Sequence, residues 1–135
     1  GDHARVASGK DGMKTEQGRV IANAEDSIWA FDTRFQLTSP SVIEDLEGCI
    51  ERGLDVRLLT NGAAEHDTSF LEEKGAKTEI SQNPTSSSFY IVDGSEVLLN
   101  VSRRRATVVF EDEYFADIMK EQFEAEFEQA ASSQP

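Results

Sequence analysis

Arg103-Arg104-Arg105 is the run in this sequence of 135 residues best suited to holding an anion. Three adjacent guanidiniums present forked donors that match the oxygens of a phosphate or a carboxylate. They interrupt a chain of 26 acidic against 13 basic residues, with a net charge of −13. A hairpin turn whose arginines are salt-bridged to nearby carboxylates accounts for the same run without any ligand. Nucleophile-plus-histidine chemistry would depend on His66, because His3, the other imidazole, lies in the polar opening segment. His66 sits in a polar loop with no neighbouring cysteine or serine elbow, which reads as a solvated side chain. Cys49 is the single cysteine, so a disulfide framework and a thiolate-rich zinc site are excluded. Its place among apolar residues reads as a small buried hydrophobe. The glutamates of the last helix read as a solvated face, so no metal and no cofactor are implied.

Two phosphoryl-transfer motifs fail on residue type. No glycine-rich phosphate loop follows the first strand. Leu58-Leu59-Thr60-Asn61 is similar to the second motif of haloacid-dehalogenase phosphatases, but Asp32-Thr33-Arg34 supplies one carboxylate where that family needs a pair. A receiver domain needs an aspartate at the end of its third strand, where Thr78-Glu79-Ile80 has none.

The charge carries further information. Five lysines stand beside eight arginines, and carboxylates are spread over the whole chain. Such a surface suits a cytosol of molar salt, where screening removes carboxylate repulsion. An ordinary acidic domain kept soluble by its charge is the alternative. Either surface repels phosphate backbones and anionic membranes. No apolar run approaches the roughly 18 residues that a membrane-spanning helix needs. No charged-then-apolar leader opens the chain, so the expected location is cytoplasmic.

Local patterns then set the elements that must position these residues. Residues 1–12 are polar and without period, and are expected to be mobile. A single domain is expected over residues 13–130, with a frayed tail at 131–135. From Met13, the pattern of Gln17, Val20, Ile21 and Ala24 suggests a first helix ending near Glu25. Ile28-Trp-Ala-Phe31 is a continuous apolar run, which suits a strand covered on both faces. Pro40 opens a helix with a candidate Ser41–Glu44 capping box, and Val42, Ile43, Leu46, Cys49 and Ile50 line one face. Gly53 ends that helix, with Leu54 as the folded-back contact of a Schellman cap. Asp55–Thr60 is a second strand, Asp67 caps a short helix to Gly75, and Ala76–Ile80 is a third strand. This alternation predicts a parallel βαβαβ unit. Ser88–Val92, the turn Asp93-Gly94-Ser95 and Glu96–Val101 predict an antiparallel hairpin, with a further strand over Thr107–Phe110. Phe115, Ile118, Met119, Phe123 and Phe127 fall at helical spacing behind Asp112 as cap. The expected fold is therefore α/β: a mixed sheet, parallel first and antiparallel after Ser88, closed by a C-terminal helix.

From about Val20 to Phe127 the chain resembles one half of the phospholipase D fold, in the version found in archaeal TrmB-like transcriptional regulators. The carriers are Asn23-Ala-Glu-Asp-Ser-Ile-Trp29, Leu46 to Gly53 with Asp55-Val-Arg-Leu-Leu-Thr60, Phe89-Tyr-Ile-Val-Asp-Gly94, Glu96-Val-Leu-Leu99 and the aromatic last helix. Active relatives carry a histidine, a lysine two residues on and an aspartate seven residues after the histidine. With Asp93 aligned to that aspartate, Ser86 takes the histidine position and Ser88 the lysine position. Asp93-Gly94 also has a sufficient structural reason as a hairpin turn.

The resemblance implies the fold and, with both the nucleophile and the cation replaced, no enzyme. It implies a non-catalytic effector-sensing and dimerisation domain of a halophilic archaeal regulator, with sugar or central-carbon metabolism as its field. DNA would be contacted only through an N-terminal winged helix that this chain does not contain, and no membrane is involved. The expected ligand site is Ser86, Ser88 and Asp93, with Arg103, Arg104 and Arg105 as an anion clamp. Serine hydroxyls donate and accept, which suits a sugar or a phosphorylated sugar. The alternatives are a homodimerisation module without a ligand and a phosphodiesterase of the phospholipase D type.

Overall fold

The computed structural model describes residues 4–32, 40–61, 65–81, 88–101 and 106–133, with the side chains of 65–67 left aside. The elements are β1 (Ala4–Ser8), α1 (Gly9–Ala22), β2 (Ser27–Asp32), α2 (Pro40–Glu51), β3 (Asp55–Thr60) and α3 (Glu65–Lys74). They continue with β4 (Lys77–Ile80), β5 (Ser88–Val92), β6 (Glu96–Val101), β7 (Ala106–Phe110) and α4 (Glu113–Ser132). One seven-stranded sheet runs in the order β1-β7-β6-β5-β2-β3-β4. β2 is parallel to β3 and β3 to β4, whereas β5, β6, β7 and β1 pair antiparallel. The expected mixed sheet and closing helix are what the chain adopts.

Alternation along each strand separates two cores. Ile28, Ala30, Val56, Leu58, Tyr90, Val92, Leu98 and Val109 face Val20, Ile21, Val42, Leu46, Cys49 and Leu71 from α1, α2 and α3. Trp29, Phe31, Leu59, Phe89 and Ile91 face Met119, Phe123 and Phe127 of α4 on the other side. Trp29 stacks on Phe123, and the guanidinium of Arg57 lies 4.4 Å from the Trp29 ring centre. The continuous apolar run of β2 is thus covered on both faces, as its pattern predicts.

Several local signals act as expected. Gly53 adopts a φ of +84, and Leu54 donates its N–H to Cys49 at 3.1 Å while packing on the core, which completes the cap of α2. Asp112 accepts the N–H groups of Tyr114 and Phe115 at the start of α4. Asp93 and Gly94 both have positive φ, as a type I′ hairpin turn requires. Cys49 is fully buried and directs its thiol at the carbonyl of Ile21. Burial raises its pKa, the Arg52 guanidinium opposing in part.

Other expectations shift. Residues 4–8, without period and expected to be mobile, form β1, because pairing with β7 needs backbone groups and not an apolar pattern. α1 accordingly begins at Gly9 and not at Met13. α2 begins at Pro40, so Ser41 lies inside its first turn and is not the cap. α4 runs to Ser132, past the expected onset of fraying. Ile118 points away from the sheet and stays exposed.

Candidate ligand site at one end of the sheet

Five strands carry a buried polar residue at, or one residue from, the same end of the sheet. Asp32 pairs with Thr60 across β2 and β3, Ser88 with Asn100 across β5 and β6, and Asn100 with Thr107 across β6 and β7. Ser88 donates its hydroxyl to Asp32 Oδ1 at 3.1 Å, which joins the two halves. Thr60, Asp32, Ser88, Asn100 and Thr107 therefore form one row across β3, β2, β5, β6 and β7. Parity along the strands places all five on the face covered by α1, α2 and α3. None is more than 2% exposed.

The row is largely satisfied internally. Tyr90 donates its hydroxyl to Asp32 Oδ2 at 2.9 Å, and Thr107 donates to Asn100 Oδ1 at 2.7 Å. Burial, reinforced by the Asp32 carboxylate, holds the Tyr90 phenol far above its usual pKa, so it remains a donor. Thr60 differs: its Oγ1 is buried and has no hydrogen-bond partner among the described residues. A buried hydroxyl in that state is costly and calls for an explanation.

The position of the row has a topological cause. The order runs β2, β3, β4 to one edge and then resumes at β5 on the other side of β2. Open α/β sheets bind ligands outside the carboxyl ends of their parallel strands, at such a reversal. Asp32 and Thr60 are the carboxyl ends of two parallel strands.

The residues expected to form a site do not all meet there. Ser88 lies in the row. Asp93 stands at the other end of β5, about 16 Å away at the usual rise of a strand. Its carboxylate accepts the backbone N–H groups of Glu25, Asp26 and Ser27, at 2.7 to 3.1 Å, and so ties the hairpin turn to the start of β2. Ser86, Arg103, Arg104 and Arg105 lie outside the described residues, as does the side chain of His66. Asn100 and Thr107 carried no motif in the sequence. Their available signal was a polar residue placed in an apolar strand, Leu-Leu-Asn in β6 and Ala-Thr-Val in β7.

No family model and no curated protein matches the sequence. Solved structures do. TrmBL2, described as an archaeal chromatin protein with a novel mode of DNA binding, matches with a TM-score of 0.75 at 18% identity over 96% of this chain. The chain spans about half, 54%, of TrmBL2. Nuc from Salmonella typhimurium, a phospholipase D family member, matches with a TM-score of 0.80 at 17% identity over 93% of this chain and 94% of Nuc. NucT from Helicobacter pylori matches with a TM-score of 0.76 at 12% identity, covering 93% of this chain and 95% of NucT. The chain thus has the phospholipase D-like fold, shared with a DNA-binding archaeal protein. No helix among the described residues is long and apolar enough to cross a membrane.

The expectation that the chain is not an enzyme is corrected by these matches. Nuc and NucT are enzymes, and each shares nearly the whole of this fold. The expectation rested chiefly on the residue types at 86 and 88, where the resemblance calls for a histidine and a lysine. The polar end of the sheet is assembled from five strands, so one motif does not decide its chemistry.

Proposed function

We propose that the chain is a phospholipase D-like regulatory domain that binds a small polyhydroxylated or phosphorylated metabolite at the polar end of its sheet and pairs with a second copy. In this reading it belongs to a cytoplasmic transcription regulator of a halophilic archaeon, in sugar or central-carbon metabolism. The carrying observation is the Thr60 hydroxyl, unpartnered among the described residues and buried beside Asp32 where an open α/β sheet takes its ligands. Hydroxyl and amide groups that both donate and accept suit the hydroxyls of a sugar. Ser86 precedes Ser88 by two residues, and Arg103 to Arg105 fall in the sequence between Val101, the last residue of β6, and Ala106, the first of β7. They are the side chains assigned to phosphate oxygens. Asp93 takes no part, since its carboxylate serves the opposite end of β5. The likeness to TrmBL2 supports the regulator setting.

Thermal denaturation against a panel of sugars and sugar phosphates tests this. A ligand that binds only the folded state raises the melting temperature with concentration. Thr60→Val is expected to abolish that rise, and joint replacement of Arg103, Arg104 and Arg105 by Ala to abolish it for phosphorylated compounds. A panel without any effect on the wild-type chain would refute the metabolite. The halophilic setting predicts a melting temperature that falls as molar salt is diluted; a rise would refute it.

A second reading, phosphodiester cleavage, is favoured by the match to Nuc over almost both whole chains. Turnover of a generic phosphodiester that is lost on Asp32→Asn or Ser88→Ala would establish it.

A further inference from the structure

We infer that the open edge of β1 is an interface between two copies of this chain, joined strand to strand into one continuous sheet. This deepens the dimerisation named above and rests on that part of the reading alone. The sheet has two edges, β1 and β4, and they are built differently. β4 is four residues long and carries Lys77 and Glu79, the short and charged character by which proteins keep edges from pairing. β1 is Ala-Arg-Val-Ala-Ser, longer and without lysine, proline or a free outward charge. Its one charged side chain, Arg5, is turned onto Glu16 at 3.1 Å and onto Glu111. Val6 stands 66% exposed in the middle of the strand.

A second copy fits this edge for reasons of charge and register. Two chains of −13 repel each other over most of their surface. Residues 4–24 are one exception, with Arg5, Lys10, Lys14 and Arg19 against Asp11 and Glu16. Glu111, Asp112 and Glu113, at the adjoining end of β7, leave that corner at a net charge of −1. Two copies can meet there without bringing their excess negative charge together. Antiparallel pairing about a twofold axis at Val6 sets Val6 against the partner's Val6, Arg5 against the partner's Ala7 and Ala4 against the partner's Ser8. No like charges face each other, and the centre is a β-branched pair, a favourable combination in a sheet. The contact is isologous, so it closes as a dimer.

Light scattering in high salt on the wild-type chain and on Val6→Lys tests the inference. The wild type is expected at twice the chain mass, and Val6→Lys at half that value with an unchanged circular dichroism spectrum. Val6→Cys is expected to form a disulfide-linked dimer on mild oxidation, while Lys77→Cys on the β4 edge does not. A wild type of single chain mass would defeat dimerisation as a whole. A Val6→Lys chain that stays dimeric, or cross-linking through Lys77→Cys and not Val6→Cys, would overturn the β1 edge alone and leave the metabolite site untouched.

Discussion

Asp93 accepts the backbone N–H of Asp26 at 2.7 Å across 67 residues of sequence. The same carboxylate takes the N–H groups of Glu25 and Ser27, while the Asp93 backbone N–H donates to the Ser27 carbonyl at 2.8 Å. One residue thus closes the β5–β6 hairpin and anchors the entry to β2. Asp93→Ala is expected to lower stability by about 2 kcal/mol, since the N–H groups lose a charged acceptor. Asp93→Asn should cost less, because asparagine tolerates the positive φ and keeps one acceptor oxygen. Urea denaturation of the two variants checks the order; equal and small losses would contradict it.

Within the polar row, two substitutions should act in opposite directions. Tyr90→Phe takes a buried donor from Asp32 and is expected to cost about 1–3 kcal/mol. Thr60→Val removes a buried hydroxyl that has no partner among the described residues, and is expected to be neutral or to stabilise the unliganded chain by up to about 1 kcal/mol. Chemical denaturation without ligand gives both values, and a marked loss in Thr60→Val would mean that its hydroxyl is already satisfied.

Two carboxyl groups titrate against the fold. Burial, then the neighbouring Glu44, raises the pKa of Asp45; burial, then Glu72, raises that of Glu79. With the folded pKa above the unfolded one, the associated stability is fully present below the unfolded pKa and is lost as pH rises through the folded pKa. Asp45→Asn and Glu79→Gln should therefore each stabilise the chain at neutral pH by roughly 0.5 kcal/mol. The gain should vanish at a pH below the carboxylate range. Melting curves at both ends of that range give the sign, and a gain confined to low pH would contradict it.

Cys49 should resist alkylation in the native chain. Its thiol is fully buried and its pKa is raised by burial, so thiolate is scarce and reagent is excluded. Labelling is expected to follow the global unfolding rate as denaturant is added. Rapid labelling in buffer would show a local opening of α2 against α1.

Much of this fold was legible because its signals are local. The apolar run of β2, the glycine after α2, the Asp112 cap and the Asp93-Gly94 turn each act within a few residues, where backbone sterics and capping hydrogen bonds decide the conformation. The change from strand–helix alternation to hairpin spacing was enough to anticipate a sheet that is parallel first and antiparallel later. β1 escaped because an edge strand is held by backbone pairing to β7, a partner about 100 residues away, and needs no apolar alternation of its own.

The site divides along the same line. By itself the sequence determined the residue types: hydroxyls at 86 and 88 in place of a histidine and a lysine, an Asp-Gly turn, a cluster of arginines and an acidic surface. Asp32 and Thr60 were visible only as parts of phosphatase motifs that failed. Tertiary structure alone decided that Asp32, Thr60, Ser88, Asn100 and Thr107 stand in one row, and that Asp93 belongs to the opposite end of β5. The physical reason is register. Which residue of one strand lies beside which residue of the next is set by the packing of both sheet faces over the whole chain, and a slip of one position would turn every one of these side chains to the other face.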